Sequence, residues 1–139
     1  MKFDIVIGNP PYNKGMDLDF VHKGYQLSSN YTVMITPAKW QTCPDDYSGC
    51  ASKTIDYKQF RELYVKHMFK VCFYPDCVDV FNVSQSDGIS WYAMDKKTHD
   101  KCEVINICNT NSKLNSVAIR SLRERERVYI TSVQRLCIA

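Results

Sequence analysis

An apolar run that stops on a glycine and two prolines constrains this chain more than any other stretch: Phe3-Asp4-Ile5-Val6-Ile7-Gly8-Asn9-Pro10-Pro11-Tyr12. Ile5 to Ile7 has the length and β-branching of a short buried strand. The two prolines fix two φ angles and remove two N–H donors. The residue before a proline is pushed out of the helical region, so Asn9 is held extended. The loop thus presents an amide side chain, carbonyls with no competing donors beside them, and the ring of Tyr12. Such a set suits a planar group that carries an NH2. The Asn9 side-chain oxygen and the Pro10 carbonyl would accept its two hydrogens, and Tyr12 would stack on its face. An amine conjugated to an aromatic ring is a poor nucleophile. Drawing both hydrogens onto acceptors moves the nitrogen toward tetrahedral and aims its lone pair at an electrophile, so the catalytic means are positioning and preorganised acceptors. Stacking adds roughly 1–3 kcal/mol per base in comparable sites. The plainer reading is a strand that ends in a proline turn, with Tyr12 packed.

The 139 residues suffice for one domain with a modest core. A net charge of +3 permits nucleic acid as a partner without demanding it. No apolar run reaches membrane-spanning length, and no signal peptide precedes Met1-Lys2, so a cytoplasmic protein is expected. The seven cysteines are Cys43, Cys50, Cys72, Cys77, Cys102, Cys108 and Cys137, an odd number with no C-x-x-C pair. Reduced thiols are expected, and a zinc site on Cys72 and Cys77 is the lesser alternative, so no metal is assigned.

Along the chain, Leu18, Val21 and Tyr25 mark an amphipathic helix over Asp17 to Leu27, broken by Ser28-Ser29-Asn30. Tyr31 to Ile35 is a second buried strand, ended by Thr36-Pro37. Ala38-Lys39-Trp40 follows at its end, where Trp40 reads first as a packed core edge and alternatively as a substrate contact. Gln41 to Thr54 is a long polar loop, and long loops are often functional. Asp56 is a cap with Gln59 three residues on, followed by a helical stripe of Phe60, Leu63, Tyr64, His67 and Met68. His67 there reads as a core-edge histidine. Lys70 to Tyr74 and Ile89 to Met94 are two further strands. The short link between them implies that the second runs antiparallel. Lys101 to Cys108 is a possible fifth strand, and Asn109 to Asn115 is turn-like. Arg120, Arg123, Arg125, Arg127 and Arg135 alternate with Glu124 and Glu126, which reads as a solvated face or, more sharply, a phosphate-contacting patch. The strand–helix alternation gives an α/β class with a mixed, mostly parallel sheet.

The opening motif, in the wording Phe-Asp-Ile-Val-Ile-Gly-Asn-Pro-Pro-Tyr-Asn, resembles the catalytic motif of N6-adenine DNA methyltransferases, above all the methylase domains of restriction-modification enzymes. The resemblance covers roughly Lys2 to Lys97. It implies the second half of a Rossmann-like S-adenosylmethionine-dependent methyltransferase fold with a C-terminal antiparallel hairpin. It also implies methyl transfer from S-adenosylmethionine to adenine N6 in double-stranded DNA. Asn9, Pro10, Pro11 and Tyr12 match the catalytic motif. In the family the strand matching Tyr31 to Ile35 is also followed by a proline and often an aromatic, which makes Lys39 and Trp40 substrate-side candidates. Phe81 in Asp79-Val80-Phe81 matches an aromatic that packs on the flipped base, or is a buried anchor of the hairpin.

The glycine-rich turn and the ribose-holding acid of the family's cofactor half have no counterpart here, since the five glycines form no G-x-G. The expectation is therefore a partial catalytic domain over residues 1–100 and an extension over 101–139 that begins a target-recognition region. Such a fragment is expected to be inactive alone and, with an exposed sheet edge, to self-associate or to complete a partner chain. Methyltransferases of protein glutamine or of RNA share the loop and stand as alternatives, as does a module that only binds DNA.

Overall fold

The computed structural model describes residues 1–74, 81–82 and 87–107, and the backbone of 114–120. Its order is β1 (Phe3–Gly8), α1 (Asp17–Leu27), β2 (Ser28–Pro37), α2 (Lys39–Thr42), α3 (Tyr57–Tyr64), a 3-10 turn (Val65–His67), β3 (Met68–Tyr74), β4 (Ile89–Met94), β5 (Cys102–Ile107) and β6 (Leu114–Arg120).

Parallel neighbours need a crossover, and α1 supplies it between β1 and β2. The helix lies close to the sheet at Gly24. A Cβ there would come within 2.5 Å of Met34 Cε and 3.3 Å of Val6 Cγ1. Gly15, at φ +91°, makes the turn that starts the helix. The cap of α3 forms as its sequence implies. The Asp56 carboxylate accepts the Gln59 N–H at 2.7 Å, and the Gln59 side-chain oxygen accepts the Asp56 N–H at 2.9 Å. Asp56→Ala is expected to cost about 1 kcal/mol in a denaturant titration.

The six strands lie in the order β1-β2-β4-β3-β5-β6. β1–β2 and β3–β5 are parallel. β2–β4, β3–β4 and β5–β6 are antiparallel. The expected mostly parallel sheet is thus corrected: antiparallel ladders predominate among the described residues. The cause is β4, which inserts between β2 and β3 and turns what would be a parallel junction into two antiparallel ones. β5 and β6 lengthen the same sheet beyond residue 100. The helical stripe also stops earlier than expected, because Met68 opens β3.

Register assigns the faces. Val6 and Gly8 on β1 share a face with Thr32, Met34 and Thr36 on β2, and with Ser90, Tyr92 and Met94 on β4. Val71 and Phe73 on β3 and Val104 on β5 continue it. α1 and α3 cover this face. The core lies between them and holds Leu18, Val21, Phe60, Val71, Tyr92 and Val104, each at most 1% exposed. The other face begins with Ile5, Ile7 and Tyr31, which are 52, 76 and 44% exposed. No helix among the described residues is long and apolar enough to cross a membrane.

Candidate functional site

β1 and β2 run parallel, so the loops that leave their C-terminal ends emerge side by side, where open α/β sheets bind ligands. Pro10 is buried, Asn9 and Pro11 are exposed, and Tyr12 is half-buried. The Tyr12 hydroxyl donates to Asn9 Oδ1 at 2.6 Å and lies 3.5 Å from the Ile35 carbonyl of β2. The phenol therefore ties the loop to the neighbouring strand end. It also occupies one of the two lone-pair directions of the amide oxygen that would accept an amine. Sequence reasoning placed these two side chains in one loop but missed their bond.

A polar chain runs beneath the loop. Trp40 Nε1 donates to Ser90 Oγ at 2.9 Å, Ser90 Oγ donates to the Thr36 carbonyl at 3.4 Å, and Thr36 Oγ1 donates to Tyr92 Oη at 3.3 Å. Trp40 is 3% exposed and packs against Phe60, Phe73 and Tyr92. It offers no face to a base, which corrects its placing among the substrate contacts. Lys39 stays half-buried at the rim. Its Nζ donates to the Tyr47 hydroxyl at 3.0 Å, a bond that raises its pKa. Phe81 is half-buried, followed by Asn82 at φ 54°.

The long loop after β2 begins as α2 and is then pinned at two places. Arg61, 4% exposed on α3, donates to the Trp40 and Cys43 carbonyls at 2.8 and 3.1 Å and pairs with Asp45 at 2.5 Å. The Asp19 carboxylate accepts from Ser52 Oγ, Thr54 Oγ1 and the N–H groups of Lys53 and Thr54, at 2.6 to 3.0 Å. Burial works to raise Asp19, but these bonds overcome it and hold the carboxyl at about 2.

Asp17, two residues earlier, is the opposite case and escaped sequence reasoning. It is 2% exposed, and burial pushes its carboxyl up to about 6, with the charge of Asp19 adding to the rise. Its own backbone N–H and Lys39 act against the shift. Asp17 also acts on the hydroxyls of Tyr57 and Tyr92, both raised mainly by burial.

A cavity of about 390 Å³ lies on the outer side of the loop, between β1 and α1. Its walls are Val6, Ile7, Gly8, Asn9, Pro10 and Pro11 of the strand and loop, with Phe20, Lys23 and Leu27 of the helix. A sulfonium cofactor bearing a ribose needs a carboxylate and a close-approach glycine turn. The lining supplies one cation, Lys23, and no acid. These residues do not fit S-adenosylmethionine by themselves. Among the described residues no cluster could hold a metal ion. Cys72, 1% exposed and pushed up to about 11 by burial, is a core thiol. Cys77, its partner in the zinc alternative, lies outside the described residues, as do Arg123, Arg125, Arg127 and Arg135 of the basic tail.

In an alignment of 86 residues that covers 52% of the chain, it is 34% identical to a protein of Mycoplasma pneumoniae. That relative is an uncharacterized adenine-specific methylase. The matched part is 20% of the relative, so the chain spans about a fifth of it. Among the solved structures that share the fold are the following two. One is the methyltransferase subunit of a type I restriction-modification system from Streptococcus thermophilus, with a TM-score of 0.53 and 14% identity over 99% of this chain and 32% of that one. The other is the type IIG restriction endonuclease BpuSI, with a TM-score of 0.50 and 13% identity over 96% of this chain and 20% of that one. No protein-family model matches.

Proposed function

We propose that this chain is the base-holding part of a DNA methyltransferase that modifies adenine at N6 within a restriction-modification system. The observation that carries the reading is the loop 9–12 at two adjacent parallel strand ends, with the Asn9 amide and Tyr12 phenol 2.6 Å apart. The adenine-specific methylase similarity supports the base and the chemistry. Asn9 Oδ1 and the Pro10 carbonyl accept the two hydrogens of the exocyclic amine, Pro11 keeps the loop stiff, and Tyr12 stacks on the extruded base. Flipping costs a few kcal/mol, which stacking on Tyr12 and Phe81 helps to offset. Lys39 is the remaining substrate-side residue. The extension over residues 101–139 begins within the same sheet, and its later part leads into target recognition. The methyl donor, S-adenosylmethionine in enzymes of this kind, requires residues beyond those described, so the chain is inactive alone.

The test is a chimera in which residues 1–107 replace the aligned region of the Mycoplasma pneumoniae methylase, with N6-methyladenine in plasmid DNA measured by mass spectrometry. The chimera is expected to methylate adenine, and Asn9→Ala within it to reduce the rate about a hundredfold, the scale of losing one preorganised polar contact in the transition state. A folded chimera without adenine methylation, or one indifferent to Asn9→Ala, would overturn the proposal.

A further inference from the structure

Asn9 is exposed, and among the described residues the Tyr12 hydroxyl is the hydrogen-bond partner of its side chain. A carboxamide has nearly the same shape at both ends. A half-turn about χ2 exchanges an acceptor for a donor of two hydrogens at little steric cost. An untethered asparagine would therefore meet an amine in one orientation and a keto oxygen in the other. The Pro10 carbonyl can only accept, so the orientation of Asn9 is the choice left open in this corner. Tyr12 closes it. Its hydroxyl has one hydrogen, with Asn9 Oδ1 at 2.6 Å and the Ile35 carbonyl at 3.5 Å, and the nearer oxygen takes it. A flipped amide would bring the Nδ2 hydrogens to the phenol oxygen and drive the phenol hydrogen toward Ile35, where little of a hydrogen bond remains. Ile35 lies in β2, paired with β1 and β4, so its carbonyl does not follow the loop.

We propose that the Tyr12 hydroxyl, as distinct from its ring, determines specificity: it locks Asn9 as an acceptor, so that the loop takes a base bearing an exocyclic amine and refuses a keto base. The inference rests on the base-holding reading of the loop and adds to it a role for the phenol oxygen. The two lone pairs of Oδ1 are then divided, one to the phenol and one to an amine hydrogen. A keto oxygen in the same place meets a lone pair with no hydrogen between them, and the lock denies it the Nδ2 group that would serve it. A site built to pair with a polar group discriminates against an analogue without it, because its own polar atoms are left unpaired. A carboxylate at position 9 would need no lock, since both of its oxygens accept. The asparagine does.

Two measurements test it. Nitrogen relaxation of the Asn9 side-chain amide in the full chain reads the lock directly. The amide is expected to be ordered in the wild type and mobile in Tyr12→Phe. Equal mobility in the two overturns the proposal. Specificity is read in the chimera with the Mycoplasma pneumoniae methylase, as binding to duplexes with adenine or hypoxanthine at the site it methylates. Comparing variants cancels the different costs of flipping the two bases. Tyr12→Phe keeps the ring and is expected to lower the preference for adenine about fivefold, the scale of one net hydrogen bond. In an Asn9→Asp background the same change is expected to alter the preference by less than about twofold, because a carboxylate cannot donate. An unchanged preference in Tyr12→Phe, or an equal loss in both backgrounds, overturns the proposal and leaves the phenol a packing group. A folded chimera that favours neither base sinks the base-holding reading and the specificity with it. That failure is distinct from a failure of the lock, since the relaxation measurement needs no base.

Discussion

Asp17→Asn is expected to stabilise the chain by about 3 kcal/mol at pH values well above 6 and to change little below 3.8. The reason is the place of this carboxyl. It lies in the first turn of α1, 2% exposed, where removal from water favours the neutral form. Because its folded pKa, about 6, stands above the ordinary 3.8, the folded state binds the proton more tightly than the unfolded chain does. That stability is fully present below 3.8 and is lost as pH rises through 6. Asparagine keeps the shape of the neutral acid and has no charge to bury. Asp19 has the opposite sign: held at about 2, it contributes stability above 3.8 that is lost as pH falls through 2. The two carboxyls together place the stability maximum near pH 4, and Asp17→Asn is expected to remove its alkaline limb. Thermal melts of both proteins across that range give the difference curve. If Asp17→Asn destabilises at neutral pH, the ionised carboxylate is making a contact worth more than its burial costs. A buried acid kept at a cost in stability is the pattern found where function outweighs stability.

Asp17 also shows where reading the sequence reaches its limit. Asp17-Leu18-Asp19 looks like a helix start with two solvated acids. Local pattern cannot tell which of them turns inward, because Thr54 and Ser52, which claim Asp19, come from a distant loop. Local signals did place α1 and β4, and the Asp56–Gln59 cap, since periodicity and capping are encoded within a few residues. The antiparallel direction of β4 followed from its short link to β3. Its insertion between β2 and β3 was not legible, because strand order is decided by long-range packing. β6 carried too little alternation to separate it from a turn. At the site, the strand and proline loop of residues 3–12 were written in the chain itself, but the strand, read as buried, lies at the sheet edge with Ile5 and Ile7 exposed. The Tyr12 bond to Asn9 and the floor of Thr36, Ser90 and Tyr92 were not, since they join residues that are neighbours only after β2 and β4 pair.

Trp40→Ala is expected to cost about 3–5 kcal/mol, and Trp40→Phe about 1–2 kcal/mol. Sequence left this residue between a core edge and a substrate contact, and the two roles differ in what they predict. The indole lies with ring centroids 5.5 Å from Phe60 and 5.9 Å from Phe73 and Tyr92. Alanine removes the centre of that aromatic cluster, and the rings around it close the cavity only in part. Phenylalanine refills most of the volume but leaves Ser90 Oγ without its donor at 2.9 Å, so the smaller cost is that of one hydrogen bond plus imperfect packing. In urea titrations the midpoint is expected to fall in this order with the slope unchanged. A base-contacting tryptophan would behave differently, with stability within about 0.5 kcal/mol of wild type and only DNA binding lost. The distinction bears on the site because the Trp40 carbonyl also receives Arg61, the residue that fixes the loop after β2. Losing the ring therefore loosens the wall beside Lys39, and any loss of DNA affinity in Trp40→Ala is expected to track the loss of fold. It is not expected to appear in Trp40→Phe.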